Sequence, residues 1–107
     1  MTFNEYQRKA LTTARDKNNE LFHRVLGLVG EAGEIAEKIK KLVRDHNANL
    51  NKLDKEDIAK ELGDVLWYTA TLADYLGFTL DDIAEQNVKK LADRDKRGVL
   101  RGSGDNR

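Results

Sequence analysis

Two pairs of acidic residues have the spacing that metal-dependent chemistry requires. Glu31 and Glu34 are three residues apart in a stretch with a helical pattern. Glu61 and Asp64 repeat that spacing later in the chain. Residues three apart lie on the same face of a helix, so each pair presents two carboxylates side by side. Carboxylate ligands without His or Cys partners suit a hard cation, which predicts a Mg²⁺ site in which Mn²⁺ can substitute.

The elements that must position these pairs are two long helices. Apolar residues three and four apart predict helices over about residues 3–15, 20–44, 55–76 and 80–94, and strand patterns are absent. In an antiparallel pair, Glu34 would lie ~15 Å before the end of the second helix and Asp64 ~14 Å after the start of the third. The acidic pairs would then meet at similar depth, where bound cations must offset their repulsion.

These elements predict an all-α fold, a four-helix bundle-like domain with antiparallel central helices. The chain has 107 residues, which suits one small domain. We expect residues 1–94 to form the helical domain and residues 95–107 a basic, glycine-rich tail. A chain this short buries limited apolar surface, so we expect an oligomeric protein, a homodimer or a homotetramer. Trp67, on the side of the third helix away from its apolar stripe, is a candidate oligomer contact.

Composition argues against several classes of partner. Lys plus Arg equals Asp plus Glu, so the net charge is zero and provides no basic field for nucleic acid. Cysteine is absent, which excludes disulfides and thiolate metal sites. No apolar run approaches the ~20 residues that span a bilayer, and the first residues do not resemble a signal peptide. We therefore expect a cytoplasmic protein without nucleic-acid or membrane partners.

Three glycines interrupt the second predicted helix, and two interpretations of them are open. Gly27, Gly30 and Gly33 each cost about 1 kcal/mol relative to Ala in a helix interior. They either clear space beside the acidic residues for a ligand or allow a neighbouring helix to pack closely.

His23 follows Glu20 in a Glu-x-x-His arrangement, which is the ligand motif of di-iron helical bundles. Such sites need two copies of the motif, and His46, the other histidine, has Val43 at the matching position. We therefore expect His23 to be an ordinary helix residue rather than a metal ligand.

Three segments together resemble the MazG-like nucleotide pyrophosphohydrolases, and the resemblance covers nearly the whole chain. Residues 27–34, Gly-Leu-Val-Gly-Glu-Ala-Gly-Glu, are similar to the first acidic motif of that family. Residues 61–68, Glu-Leu-Gly-Asp-Val-Leu-Trp-Tyr, are similar to the second, and residues 87–91, Asn-Val-Lys-Lys-Leu, followed by Arg94, to the third. The resemblance implies an all-helical, Mg²⁺-dependent, oligomeric enzyme that cleaves nucleoside triphosphates to the monophosphate and pyrophosphate.

The resemblance also implies roles for individual residues. The implied metal ligands are Glu31, Glu34, Glu61 and Asp64. The implied substrate contacts are Asn87, Lys90 and Arg94 at the phosphates, and Tyr68 near the base or sugar. Lys38, four residues after Glu34, either binds the triphosphate as well or lies on a solvated face. Arg97, in the tail, either folds over bound phosphate or belongs to a frayed end.

The residue types suit this hydrolysis independently of the resemblance. Mg²⁺ withdraws charge from the phosphate oxygens and makes water a better nucleophile. A spare carboxylate, which we assign to Glu34, orients the attacking water or accepts its proton. The alternative function is a non-catalytic helical binding module, in which the acidic cluster holds a cation for stability.

Overall fold

The computed structural model describes all 107 residues, which form an all-α fold. The helices are α1 (Phe3–Leu11), α2 (Glu20–His46), α3 (Lys55–Tyr75) and α4 (Leu80–Lys96), with a 3₁₀ turn at Leu50–Lys52 between α2 and α3. No strand is present, so the prediction of an all-α fold is confirmed. No helix combines the length and the apolar character needed to cross a membrane.

The first helix is shorter than the predicted range 3–15, since α1 ends at Leu11. The hydroxyls of Thr12 and Thr13 donate to the carbonyl oxygens of Lys9 and Ala10, at 2.6 and 2.9 Å. These side-chain bonds compete with the backbone for the last helical carbonyls. The chain therefore leaves the helix before residue 15.

Side chains cap the starts of α3 and α4. The side chain of Asp54 accepts a hydrogen bond from the backbone N–H of Asp57 at 3.0 Å. Thr79 and Asp82 form a reciprocal capping box at the start of α4. This helix continues to Lys96, two residues beyond the predicted end of the helical domain at residue 94.

The turn between α3 and α4 depends on Gly77. Its φ of +85° lies in the left-handed region, which glycine adopts without strain. The N–H of Gly77 donates to the carbonyl of Asp74 at 3.0 Å, and the N–H of Phe78 donates to that of Ala73 at 2.9 Å. These two bonds form a Schellman motif, which ends α3 and turns the chain towards α4.

Helix α2 lies along α3 for most of its length. Gly27 contacts Tyr68 towards one end of the pair, and Lys38 contacts Asp57 towards the other. The two acidic motifs lie between these contacts. The packing therefore places both acidic motifs at the same height along the axes of the two helices, as a shared site requires.

Helix α1 packs against α3 and α4, and the apolar core lies where these three helices meet. The buried residues of the core are Ala10, Ala70 and Leu80, and Tyr6, Leu66 and Trp67 pack around them. The central positions are mostly small, so the helix backbones approach one another closely.

Gln7 is a buried polar residue within this contact. Its Nε2 donates to the carbonyl oxygens of Ala70 and Phe78 at 3.0 and 3.2 Å. Its Oε1 accepts from the backbone N–H of Leu80 at 3.0 Å. One side chain therefore joins α1, the end of α3 and the start of α4.

Trp67 packs within the chain and is partly buried, and its expected place at an oligomer contact stays a prediction. The indole Nε1 donates to the Thr13 hydroxyl at 2.9 Å, and the ring packs against the apolar core. The guanidinium of Arg24 lies 5.3 Å from the ring centroid, in cation–π geometry. The expectation was based on α3 alone, whereas in the folded chain α1 and the segment after it cover this side of α3.

A single chain does not close a four-helix bundle. Helix α2 contacts α3 and the 3₁₀ turn but has no Cα atom within 8 Å of α1 or α4. The radius of gyration is 16.8 Å, whereas a compact chain of this length would have about 13 Å. Because α4 folds back onto α1 rather than α2, apolar side chains on α2 remain exposed. They include Phe22, Leu26 and Val29, which are 66%, 69% and 65% exposed.

Candidate metal centre

Three carboxylates from two helices converge between α2 and α3. Glu31 of α2 and Glu61 and Asp64 of α3 each place one oxygen within 4.8 Å of the others. Glu31 and Glu61 are partly buried, whereas Asp64 is exposed. The cluster therefore has one side against the helix pair and one side open to solvent.

The electrostatics of the cluster favour a cation. Partial burial raises the pKa of Glu31, and the negative charge of Asp64 raises it further. A hydrogen bond from the carboxyl of Glu31 to Glu61, together with the charges of Glu61 and Glu34, acts in the same direction. Like charges at this separation disfavour full ionisation unless a cation neutralises them.

Glu34 lies outside the closest group of carboxylates. It is exposed, and its charge makes the smallest of these contributions to the raised pKa of Glu31. The structure thus brings together three of the four residues expected to bind metal and leaves Glu34 beside them. One helical turn beyond Glu31, its carboxylate is oriented towards solvent at the edge of the cluster.

Lys38 extends the charged network away from the cluster. Its Nζ lies 2.6 Å from a carboxylate oxygen of Asp57 and 3.7 Å from one of Glu61. The hydrogen bond to Asp57 is the main reason that the pKa of Lys38 is raised, and the charge of Glu61 contributes too. Lys38 therefore holds a positive charge next to a carboxylate of the cluster.

Tyr68 packs directly on the backbone of α2. A Cβ atom added at Gly27 would overlap the Tyr68 ring, coming within 2.6 Å of its Cδ1. The ring lies edge-on to Trp67 and to His23, with centroid distances of 4.9 and 6.4 Å. His23 is exposed and belongs to no group of potential metal ligands.

The two interpretations of the helix glycines apply to different positions. Gly27 allows close packing, because the ring of Tyr68 occupies the place of its side chain. Gly30 and Gly33 have no atom within 4 Å of an added Cβ, and the same is true of Gly63 in α3. These three glycines flank the acidic residues and leave open space there.

Tyr6 is a neighbour of the cluster that the sequence pattern did not indicate. Burial raises the pKa of its phenol, and the charge of Asp64 raises it further. Helix α1 therefore contributes a hydroxyl near the acidic residues. Its apolar spacing in α1 identified Tyr6 only as a core residue, since no local signal links it to α3.

The residues of the third motif lie apart from the carboxylates within one chain. Asn87, Lys90 and Arg94 are on α4, which does not contact α2. Lys90 and Arg94 both bind Asp105 from the C-terminal turn. Arg97 is the C-cap residue of α4, and its side chain donates to Asp93 of the same helix at 2.8 Å.

The donor set of the cluster fits Mg²⁺ or a similar hard cation. All three close groups are carboxylates, and neither nitrogen nor sulfur ligands are present among them. Mg²⁺ binds through a few carboxylates and keeps its other positions for waters or substrate phosphates. The exposed side of Asp64 and the open space at the neighbouring glycines leave room for such ligands.

The sequence is similar to those of known proteins. The model of the MazG nucleotide pyrophosphohydrolase domain matches residues 22–99, which include both acidic motifs and the third motif. Gene 37 protein of Mycobacterium phage L5 is 47% identical over 92 residues, which cover 86% of this chain and 81% of that protein. Uncharacterized protein YvdC of Bacillus subtilis strain 168 is 33% identical over 78 residues, or 68% of this chain and 74% of that protein. No solved structure matches the chain. With a family match across most of its length and a relative of this similarity, the chain belongs to the MazG nucleotide pyrophosphohydrolase family.

Proposed function

We propose that this protein hydrolyses nucleoside or deoxynucleoside triphosphates to the nucleoside monophosphate and pyrophosphate, with Mg²⁺ as cofactor. The main support is the convergence of Glu31, Glu61 and Asp64 within the segment that matches the family. A cluster of carboxylates at the open edge of a helix pair suits a reaction on a highly charged phosphate substrate.

The metal would be held by the three clustered carboxylates, and Mn²⁺ would serve as a substitute. Bound there, the ion would lower the negative charge on the phosphate oxygens and favour attack by water at neutral pH. Lys38 stands 3.7 Å from Glu61. We assign it to positioning Glu61 and to contacting a phosphate of the substrate.

Glu34 is the residue we assign to proton transfer. Its carboxylate is exposed beside the cluster, where it can orient a water molecule and accept its proton. The oxygen of that water forms a bond to the α-phosphorus. The bond from this phosphorus to the oxygen that bridges the α- and β-phosphates breaks, and pyrophosphate leaves with the bridging oxygen.

Contacts to the rest of the substrate follow from the family motifs. We assign Asn87, Lys90 and Arg94 to the phosphates, with Arg97 at the end of the same helix. Tyr68, held against Gly27 close to the cluster, is assigned to the base or sugar. Because α4 does not contact α2, these two groups of assignments need separate tests.

We also propose that the protein is a homodimer or a homotetramer, and that α2 and α3 are antiparallel. The order of contacts along the helix pair, Gly27 with Tyr68 and Lys38 with Asp57, supports the antiparallel arrangement. The exposed apolar side chains on α2 support association, because an apolar strip of this kind on a small domain is usually covered. Light scattering at micromolar concentration tests this, and a monomer mass would contradict it.

The proposed activity is tested by measuring pyrophosphate release from ribo- and deoxyribonucleoside triphosphates with Mg²⁺, with Mn²⁺ and with EDTA. We expect metal-dependent release from at least one nucleotide and none with EDTA. Glu61→Gln should abolish that release, whereas Glu85→Gln on α4, outside the cluster, should not. Metal binding without release from any nucleotide would instead support a non-catalytic, metal-stabilised binding module.

A further inference from the structure

The C-terminal turn places a carboxylate on the two basic residues of the third motif. Lys90 Nζ donates to Oδ1 of Asp105 at 2.9 Å, and Arg94 Nη2 donates to the same oxygen at 3.0 Å. Arg94 Nη2 also donates to the backbone carbonyl of Asp105. The hydrogen bond from Lys90 is the main reason that the pKa of Asp105 is lowered, and the one from Arg94 adds to it. The side chain of Asp105 is therefore an anion at neutral pH.

The cation and the anion in this contact differ in exposure. Arg94 is 4% exposed, so its guanidinium is almost fully shielded from solvent. The Asp105 side chain is 78% exposed and lies on the solvent side of the contact. A buried charge without a partner is costly, and a phosphate oxygen can accept from a guanidinium as a carboxylate does.

The contact lies at a cleft of about 310 Å³. Its lining residues are Ile83, Gln86, Asn87, Lys90 and Asp105. The two amide side chains can donate hydrogen bonds alongside Lys90. A cleft with these donors suits a phosphate group, and Asp105 fills its cationic side.

The turn that bears Asp105 is largely held together by its own bonds. Arg107 donates to the carbonyl oxygens of Val99, Leu100 and Gly104, at 3.1, 2.9 and 2.7 Å. Gly98, with φ of +72°, connects this turn to the end of α4.

Apart from the contacts of Asp105, two bonds join the turn to the end of α4: the N–H of Val99 donates to the carbonyl of Arg94 at 2.8 Å, and Arg97 Nη2 donates to the carbonyl oxygen of Arg107 at 2.7 Å. Release of the turn therefore breaks these bonds as well as the contacts of Asp105.

We propose that Asp105 is an internal competitor of the substrate, occupying the phosphate position formed by Lys90 and Arg94 until a substrate phosphate displaces it. This inference rests on the proposed function, because it takes the third motif to be a phosphate contact. It goes further in giving the C-terminal turn a regulatory role. Binding of a phosphate and docking of the turn are then mutually exclusive.

The test is pyrophosphate binding to the full chain by calorimetry, in EDTA so that no metal can hold pyrophosphate at the acidic cluster. Asp105→Asn keeps the size of the side chain and removes its charge. It should tighten pyrophosphate binding by about twofold to tenfold, the range expected when two competing ion pairs with a largely exposed carboxylate are lost. Asp105→Lys should tighten binding at least as much. Asp95→Asn, which removes the same charge from the end of α4, is the matched control and should change the affinity little.

Kinetics separate this inference from the proposed function. In an active enzyme, Asp105→Asn should lower KM by a similar factor and leave kcat unchanged or higher. Active protein whose pyrophosphate affinity is unchanged or weaker in both Asp105 variants, with folding intact by circular dichroism, would overturn the inference alone. Absence of pyrophosphate binding in wild type and variants would also overturn it, because no anion site would exist. Tighter binding in variants of a protein without turnover would support the competitor and contradict the proposed activity.

Discussion

The ring of Tyr68 occupies the position that a side chain at residue 27 would take, so Gly27 lets α3 pack tightly on α2 at this point. The acidic cluster lies one turn further along α2. The distance between the two helices, and with it the separation of Glu31 from Asp64, therefore depends on this contact.

Gly27→Ala should destabilise the protein by about 1–3 kcal/mol, because the added methyl overlaps the Tyr68 ring and overpacking has this cost. Gly33→Ala is the matched control, since nothing lies within 4 Å of its added Cβ. That change should stabilise the protein by about 0.5–1 kcal/mol through helix propensity. Urea unfolding measures both, and equal effects at the two positions would contradict the packing role of Gly27.

Gln7→Glu should destabilise the protein by about 2–3 kcal/mol, because it removes the donor to two buried carbonyls and places a negative charge beside them. Gln86→Glu makes the same chemical change at an exposed site on α4 and should stay within about 0.5 kcal/mol of wild type. Midpoints and slopes of urea unfolding decide between these outcomes. A Gln7→Glu protein as stable as wild type would show that Gln7 does not join the three helices.

Arg24→Ala should lower stability by about 2–4 kcal/mol. Arg24 is 1% exposed, donates to the carbonyl of Asp16 at 3.1 Å and stacks over Trp67. The substitution removes both contacts and leaves a cavity beside the indole. Arg8→Ala, at an exposed position of α1, is the control and should have little effect. Thermal unfolding measures the loss of stability, and the fluorescence of Trp67 reports the loss of its contact with Arg24.

Glu61→Gln should weaken Mg²⁺ binding and largely abolish turnover, because it keeps the size of the side chain and removes a ligand charge. Lys38 retains Asp57 as a partner at 2.6 Å, so the fold should persist. Calorimetry with Mg²⁺ and steady-state kinetics measure the two effects. A Glu61→Gln enzyme with wild-type Mg²⁺ affinity would remove Glu61 from the metal site.

Lys90→Ala should leave Mg²⁺ binding to the free protein intact and lower kcat/KM by about tenfold or more, the value of one charge-assisted contact. If the contact strengthens as pyrophosphate departs, the loss appears in kcat, and if it is uniform, in KM. Lys89→Ala, the adjacent residue paired with Glu85 on the surface, is the control and should have wild-type kinetics. Wild-type kinetics in Lys90→Ala itself would mean that the third motif is solvated surface in this protein.

Much of the fold was predictable because its signals are local. Apolar spacing identified four helices, and the caps at Asp54 and Thr79 are bonds between residues three apart, which a short segment specifies alone. The left-handed Gly77 marks the end of α3 for the same reason. The acidic residues of the two motifs were likewise found from their spacing and from the helix rise.

Only the tertiary structure decided how these elements combine. Gln7 meets residues more than sixty positions away, and Asp105 meets Lys90 and Arg94 through a turn with no periodic pattern. The separation of Glu34 from the closest carboxylates depends on the rotation of α2 against α3. Side-chain periodicity determines which face of a helix is apolar, but the packing of one backbone on another determines which polar groups meet, and here the contact of Gly27 with Tyr68 sets that packing.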